Sequence, residues 1–96
     1  MNYDELRLCL KKYYEYDTDV EYCIEKIENF DDELKTAFFY FIETGEKPDM
    51  DVNGWTIEKI MKKTRSHEVE SFLYLDKMRK DYEYAEFFKF LGFRRK

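Results

Sequence analysis

A chain of 96 residues is sized for one domain with a single modest core, since a polypeptide this short buries only about 60–65% of its unfolded surface. Its composition, 44% hydrophobic, 20% aromatic and 41% charged with a net charge of −5, excludes intrinsic disorder and gives the surface over to charge. One Pro and three Gly leave few places to break a helix, so the predicted fold is all-α: a compact bundle of five or six short helices forming one domain over residues 1–96.

The first helix is predicted from Tyr3 to about Tyr16, capped by Asn2 with Glu5 at the capping-box position; Leu6, Cys9, Leu10 and Tyr13 form its apolar stripe. Thr18 restarts a helix, with Glu21 at the box position and Val20, Cys23, Ile24 and Ile27 at helical spacing. Asp31 or Asp32 opens the third, in which Leu34, Ala37, Phe38, Phe41 and Ile42 share a face and Gly45 supplies a left-handed C-cap. Glu46 to Gly54 reads as a loop, containing Pro48 and the Asn53-Gly54 turn signal. Thr56 then caps a short fourth helix ending near Thr64, with Trp55 set to pack on Ile60 as a hydrophobic staple. Ser66 caps a fifth, carrying Val69, Phe72, Leu73, Leu75 and Met78 inward. Asp81 caps a sixth, with Tyr84, Phe87, Phe88 and Leu91 on its face, Gly92 closing it and Phe93 folding back on Phe88.

Met1-Asn2-Tyr3-Asp4-Glu5 has neither the basic nor the apolar region of a signal peptide. The longest apolar run, Ala37 to Ile42, is six residues, far short of a membrane span. Cys9 and Cys23 are too few for a disulfide framework, and both sit at core spacing, where a buried reduced thiol is the plain reading. The expected compartment is the cytoplasm, with no membrane partner.

Asp49-Met50-Asp51-Val52-Asn53-Gly54 matches the first half of an EF-hand loop, with oxygen ligands at positions one, three and five and glycine at six. Position twelve, where a bidentate Glu should close the site, is Ile60, and the nearest acid, Glu58, comes two residues early. Asp49, Asp51, Asn53 and Glu58 are therefore weak calcium candidates, and a simple turn is favoured. His67, the one histidine, reads as an exposed first-turn residue: a triad would need an orienting acid and a nucleophile, and spacing offers only Glu68, Glu70 and Ser71. Cys9, Cys23 and His67 lack the fourth ligand and close pair spacing of a zinc site. No catalytic residue, metal or cofactor is assigned, and the chain is not expected to be an enzyme. Thr56 to Lys80 has the outline of a helix-turn-helix, but His67-Glu68-Val69-Glu70, where a recognition helix would begin, is acidic. Lys59, Lys62, Lys63 and Arg65 belong to the preceding helix and turn, so direct nucleic-acid binding is not expected.

Charge is unevenly distributed. Residues 1–50 carry 14 acids and 6 bases, a net of −8, against 8 acids and 11 bases, a net of +3, over residues 51–96. Asp17, Glu21 and Glu25 are successive i,i+4 neighbours, and Glu28 with Asp32 repeats the interval. On a continuous helix such like-charge pairs each destabilise by roughly 0.2–0.5 kcal/mol. One turn rises about 5.4 Å, so the carboxylates would be spaced much as phosphates are along a strand. Such a ridge would suit a basic, nucleic-acid-binding groove on another protein. The plain alternative is a solvated face, or one neutralised by Lys59, Lys62, Lys63 and the Arg94-Arg95-Lys96 tail. Tyr14, Tyr16, Tyr22, Phe39, Tyr40, Tyr74, Tyr82 and Phe90 fall off the core stripes. If half are exposed, they imply a partner or a homodimer.

Over Gly54-Trp55-Thr56-Ile57-Glu58-Lys59-Ile60-Met61 and Phe72-Leu73-Tyr74-Leu75-Asp76 the chain resembles small helical proteins of unknown function from low-GC Gram-positive bacteria and their mobile elements. The resemblance spans roughly residues 34–88 and implies a bacterial or phage origin without implying an activity. In size and acidity the chain is also similar to phage anti-defence proteins, including anti-CRISPR inhibitors. The resulting expectation is an acidic, non-enzymatic protein-interaction module that masks a basic surface, with a DNA-binding regulator or a weak calcium module at 49–58 as alternatives.

Overall fold

A computed structural model describes residues 2–80. The predicted sixth helix, with Tyr82, Phe90 and the basic tail, lies outside the described residues. Those described are mostly helical, as expected, with one departure: a two-stranded antiparallel sheet, its first strand in the predicted loop and its second at the predicted start of the fourth helix. The chain divides into two compact units that meet in sequence at Pro48 and Asp49.

In the first unit, helix α1 (Tyr3–Leu10) opens where expected, the Asn2 side chain accepting the Glu5 amide at 2.8 Å. It stops well short of Tyr16. The amides of Lys12 and Tyr13 bond three residues back, to Cys9 and Leu10, and that tightening turns the chain. Helix α2 (Asp17–Glu28) then packs on α1. Its N-cap is Tyr16, which offers no side-chain hydrogen bond, rather than Thr18. The cause is tertiary: Leu6 and Leu10 bury against the stripe Val20, Cys23, Ile24 and Ile27 only if the chain reverses early. Each such buried side chain contributes about 1.5–3 kcal/mol.

Helix α2 ends at Glu28. The Asn29 side chain donates back to the Glu25 carbonyl at 2.9 Å, and Lys35 reaches the Glu28 carbonyl at 3.3 Å, so terminal acceptors are satisfied from two directions. Helix α3 (Asp32–Thr44) is capped by Asp31, whose carboxylate accepts the Leu34 amide at 2.8 Å. Leu34, Phe38 and Phe41 are buried, while Ala37 and Ile42 are half-buried. Phe30 meets Phe38 edge to face, centroids 6.0 Å apart. Gly45 closes the helix at φ 76°, its amide bonding the Phe41 carbonyl at 2.7 Å.

In the second unit, strands β1 (Asp51–Val52) and β2 (Trp55–Thr56) pair with Asp51 opposite Thr56 and Val52 opposite Trp55. A two-residue loop of the type I′ form has positive φ at both central positions, and Asn53 (52°) and Gly54 (84°) provide it. Helix α4 (Ile57–Thr64) follows at once, the Thr56 hydroxyl accepting the Lys59 amide at 3.2 Å. Arg65, left-handed at φ 58°, ends it. Helix α5 (Glu68–Arg79) packs on α4. It buries Val69, Phe72, Leu75 and Met78 together with two polar residues, Ser71 and Asp76. Both find partners: Ser71 donates to the His67 carbonyl at 3.2 Å, and Asp76 pairs with Lys80 at 3.0 Å.

Candidate functional site

The five acids of the expected ridge, Asp17, Glu21, Glu25, Glu28 and Asp32, are all exposed, but they do not form one helical row. Asp17, Glu21 and Glu25 share a face of α2, where with Thr18 and Tyr22 they line a shallow, open depression. Glu28 is the last residue of α2 and Asp32 the first of α3, with the break at Asn29-Phe30-Asp31 between them. The i,i+4 spacing of that second pair is not a helical neighbour relationship.

Two of the five acids are clasped from within the chain, by Arg7 of α1 and by Lys11 at its C-cap. Arg7 donates from Nε to Glu21 Oε2 at 2.5 Å and from Nη2 to Glu21 Oε1 at 3.0 Å, a two-pronged fork, while Nη1 reaches Asp4 at 3.4 Å. One turn on, Lys11 pairs with Asp17. Hydrogen bonding from Arg7 holds the Glu21 carboxyl below its ordinary range, against a smaller upward push from Asp17 that registers the like-charge repulsion. The Arg7 guanidinium is shifted upward by the same hydrogen bond, reinforced by the charges of Glu21, Asp4 and Glu28. Sequence spacing concealed these clasps because they cross a chain reversal. The available signal was that Arg7 and Lys11 are four apart, as are Asp17 and Glu21.

No ion pair joins Glu25, Glu28 or Asp32 to a base among the described residues. Tyr22, 52% exposed, lines the same depression as Glu25, and the N-cap Tyr16 is 63% exposed. Lys26 lies 5.4 Å from the Tyr22 ring centre, supporting the ring without burying it. Of the remaining aromatics off the core stripes, Tyr40 is exposed, and Tyr14, Phe39 and Tyr74 are half-buried. Tyr40 donates to Glu46 at 2.6 Å, which raises its phenol above the ordinary value.

In the calcium-candidate segment the hairpin engages two of the four residues. Asp51 Oδ1 accepts the Gly54 amide at 2.8 Å, and the Asn53 side chain donates to the Met78 carbonyl at 3.4 Å. Asp49 and Glu58 are exposed, Glu58 in the first turn of α4. Among the described residues no three His, Cys, Asp or Glu side chains gather as a metal site. Cys9 is half-buried and Cys23 buried, and neither is in a disulfide.

His67 is not an exposed first-turn residue. Half-buried, it is itself the N-cap of α5, Nδ1 accepting the Glu70 amide at 3.2 Å. That nitrogen is the one a catalytic triad would hold against a carboxylate. Ser66, expected to cap the helix, instead joins a run of hydroxyls, 2.7 Å from Thr64 and 3.3 Å from Ser71. Histidine is outside the usual capping set, so propensity pointed one residue too early. Helices α4 and α5 are joined by the three residues Arg65-Ser66-His67, with α5 beginning at Glu68.

No helix among the described residues is long and apolar enough to cross a membrane. No protein-family model matches the chain, and no curated protein or solved structure does either.

Proposed function

We infer that this chain is a non-enzymatic, acidic interaction module that docks on a basic surface of another protein, one built to handle nucleic acid, and masks it. The supporting observation is the open acidic stretch Glu25, Glu28 and Asp32, beside exposed Tyr22. Asp17 and Glu21, first assigned to the same role, serve α1–α2 packing. A face combining unclasped carboxylates with standing tyrosines suits a partner offering arginines and lysines, which pair with the acids and stack on the rings. Charge would steer the encounter, so association weakens as salt rises. A cytoplasmic role in a bacterium or its phages, with a nuclease as the masked protein, fits the resemblance in size and acidity to anti-defence inhibitors.

The test is binding to candidate nucleases across a salt series, comparing wild type with the double variant E25K/E28K. Affinity should fall at least tenfold in the variant and converge with wild type at high salt. Affinity indifferent to both the substitutions and the salt would refute the reading. Sedimentation of the free protein distinguishes the exposed tyrosines as a homodimer contact from a surface reserved for a partner.

A second reading rests on the α4–turn–α5 spacing, with Lys62 and Arg65 exposed beside it. It makes the second unit a DNA reader. Glu68 and Glu70 at the head of α5 oppose it. A low-salt gel shift with no retarded band ends it.

A further inference from the structure

Asn53-Gly54 forms the tip of the β1–β2 hairpin, and its chemistry goes beyond turning the chain. Glycine has no Cβ to shield its backbone nitrogen, so that nitrogen can attack the side-chain carbonyl carbon of a preceding asparagine. The Gly54 amide proton goes to solvent base, and a bond forms from N to Asn53 Cγ. The side-chain nitrogen leaves as ammonia, giving a five-membered succinimide. Water then adds to either ring carbonyl and opens it to aspartate or isoaspartate. No oxidant or cofactor is required.

The fold restrains both reacting groups, the Gly54 amide and the Asn53 side chain, and the Gly54 carbonyl beside them. The Gly54 amide is held by Asp51 Oδ1 at 2.8 Å, and the Gly54 carbonyl by Lys59 Nζ at 2.8 Å. The Asn53 amide group is tied to the Met78 carbonyl of α5 at 3.4 Å. The Asp51 contact governs the rate. It occupies the very proton that must leave, and losing that proton would set an amide anion against a carboxylate. Lys59 is itself steadied by the Trp55 ring, 5.7 Å from its centre.

We propose that Asn53 is a site of spontaneous covalent conversion gated by this hairpin, closed in the native fold and reactive when the tip opens, whose product releases the hairpin from α5. The side chain that donates to Met78 becomes a carboxylate with no proton to give, facing a carbonyl near the C-terminal end of α5, where the helix dipole also disfavours negative charge. The isoaspartate product lengthens the backbone by a methylene and does not fit a two-residue turn. Conversion is one-way, so the detached state accumulates with the age of the molecule.

Full-length protein is held in mildly alkaline buffer, native and in urea, and residues 49–59 are followed by mass spectrometry and isoaspartate detection. The native rate should be about tenfold or more below the urea rate, as expected for reaction through local opening. D51A should convert several-fold faster than wild type, and D51N, which keeps an uncharged acceptor, should fall between them. Equal native and urea rates, or a folded D51A that converts at the wild-type rate, would overturn the gating. N53D tests the consequence independently: lowered hydrogen-exchange protection of the 51–56 amides is expected, and unchanged protection would overturn the release.

Discussion

Arg7 and Glu21 are joined by two parallel N–H···O contacts across the α1–α2 interface, and Lys11 and Asp17 repeat the pairing one turn closer to the reversal. Both pairs sum to the same residue number, which identifies the two helices as an antiparallel hairpin. The acids of α2 therefore divide: Asp17 and Glu21 hold the hairpin, while Glu25 and Glu28 join no ion pair among the described residues.

This pairing has a pH signature. The folded state binds ionised Glu21 better than the unfolded chain does, so its contribution is fully present above the ordinary glutamate range and disappears as pH falls through the lowered folded-state value. E21Q should therefore be less stable than wild type near neutrality, with the difference vanishing in acid. Thermal melts at a series of pH values check this, and the gap should narrow with salt because both partners are solvent-facing.

Tyr40 gives the opposite sign. Its phenol donates to Glu46, so the folded state favours the protonated form. That contribution is complete below the ordinary phenol value and is lost as pH rises through the raised one. In an ultraviolet-monitored titration Tyr40 should ionise above the ordinary phenol range, and E46Q should lower its ionisation pH.

Caps should respond individually. D31A removes the acceptor for the Leu34 amide and should cost about 1 kcal/mol, as should H67A at the head of α5. H67N and H67D restore a capping oxygen and should recover most of that loss. Urea unfolding resolves differences of this size. Equal stability of H67A and H67N would show that the imidazole contributes packing rather than capping.

F38A should be the most damaging single change in the first unit. Phe38 is fully buried and meets both Phe30 and Phe39 edge to face. Truncation should cost about 3–5 kcal/mol, a large share of a small domain's stability, read as a drop in the urea midpoint.

Local chemistry was legible in the sequence wherever a short pattern settles the backbone. The Asn2, Asp31 and Thr56 caps, the Gly45 stop and the core stripe of α2 lie where residue type and spacing put them. The reversal after Leu10 was not legible, because Tyr13 continues the helical stripe and only packing against α2 reveals the earlier stop. The hairpin was seen as a turn but not as paired strands, since two residues on each side are too few to show alternation. The inward face of α5 was only partly legible, because Ser71 and Asp76 sit within it. For the acids of α2, sequence spacing put Asp17, Glu21 and Glu25 on one exposed face and missed the clasps, which depend on which helix lies alongside.

The spacing of α2 has a further result. Acids recur each turn at 17, 21 and 25, so sliding α1 by one turn would still bring Arg7 to a carboxylate, Glu25, and Lys11 to another, Glu21. The ion pairs fasten the hairpin without choosing its alignment. That choice falls to the shapes of Leu6 and Leu10 against Val20, Ile24 and Ile27. Trimming those leucines should produce a molecule still held together by charge but free to settle in more than one register.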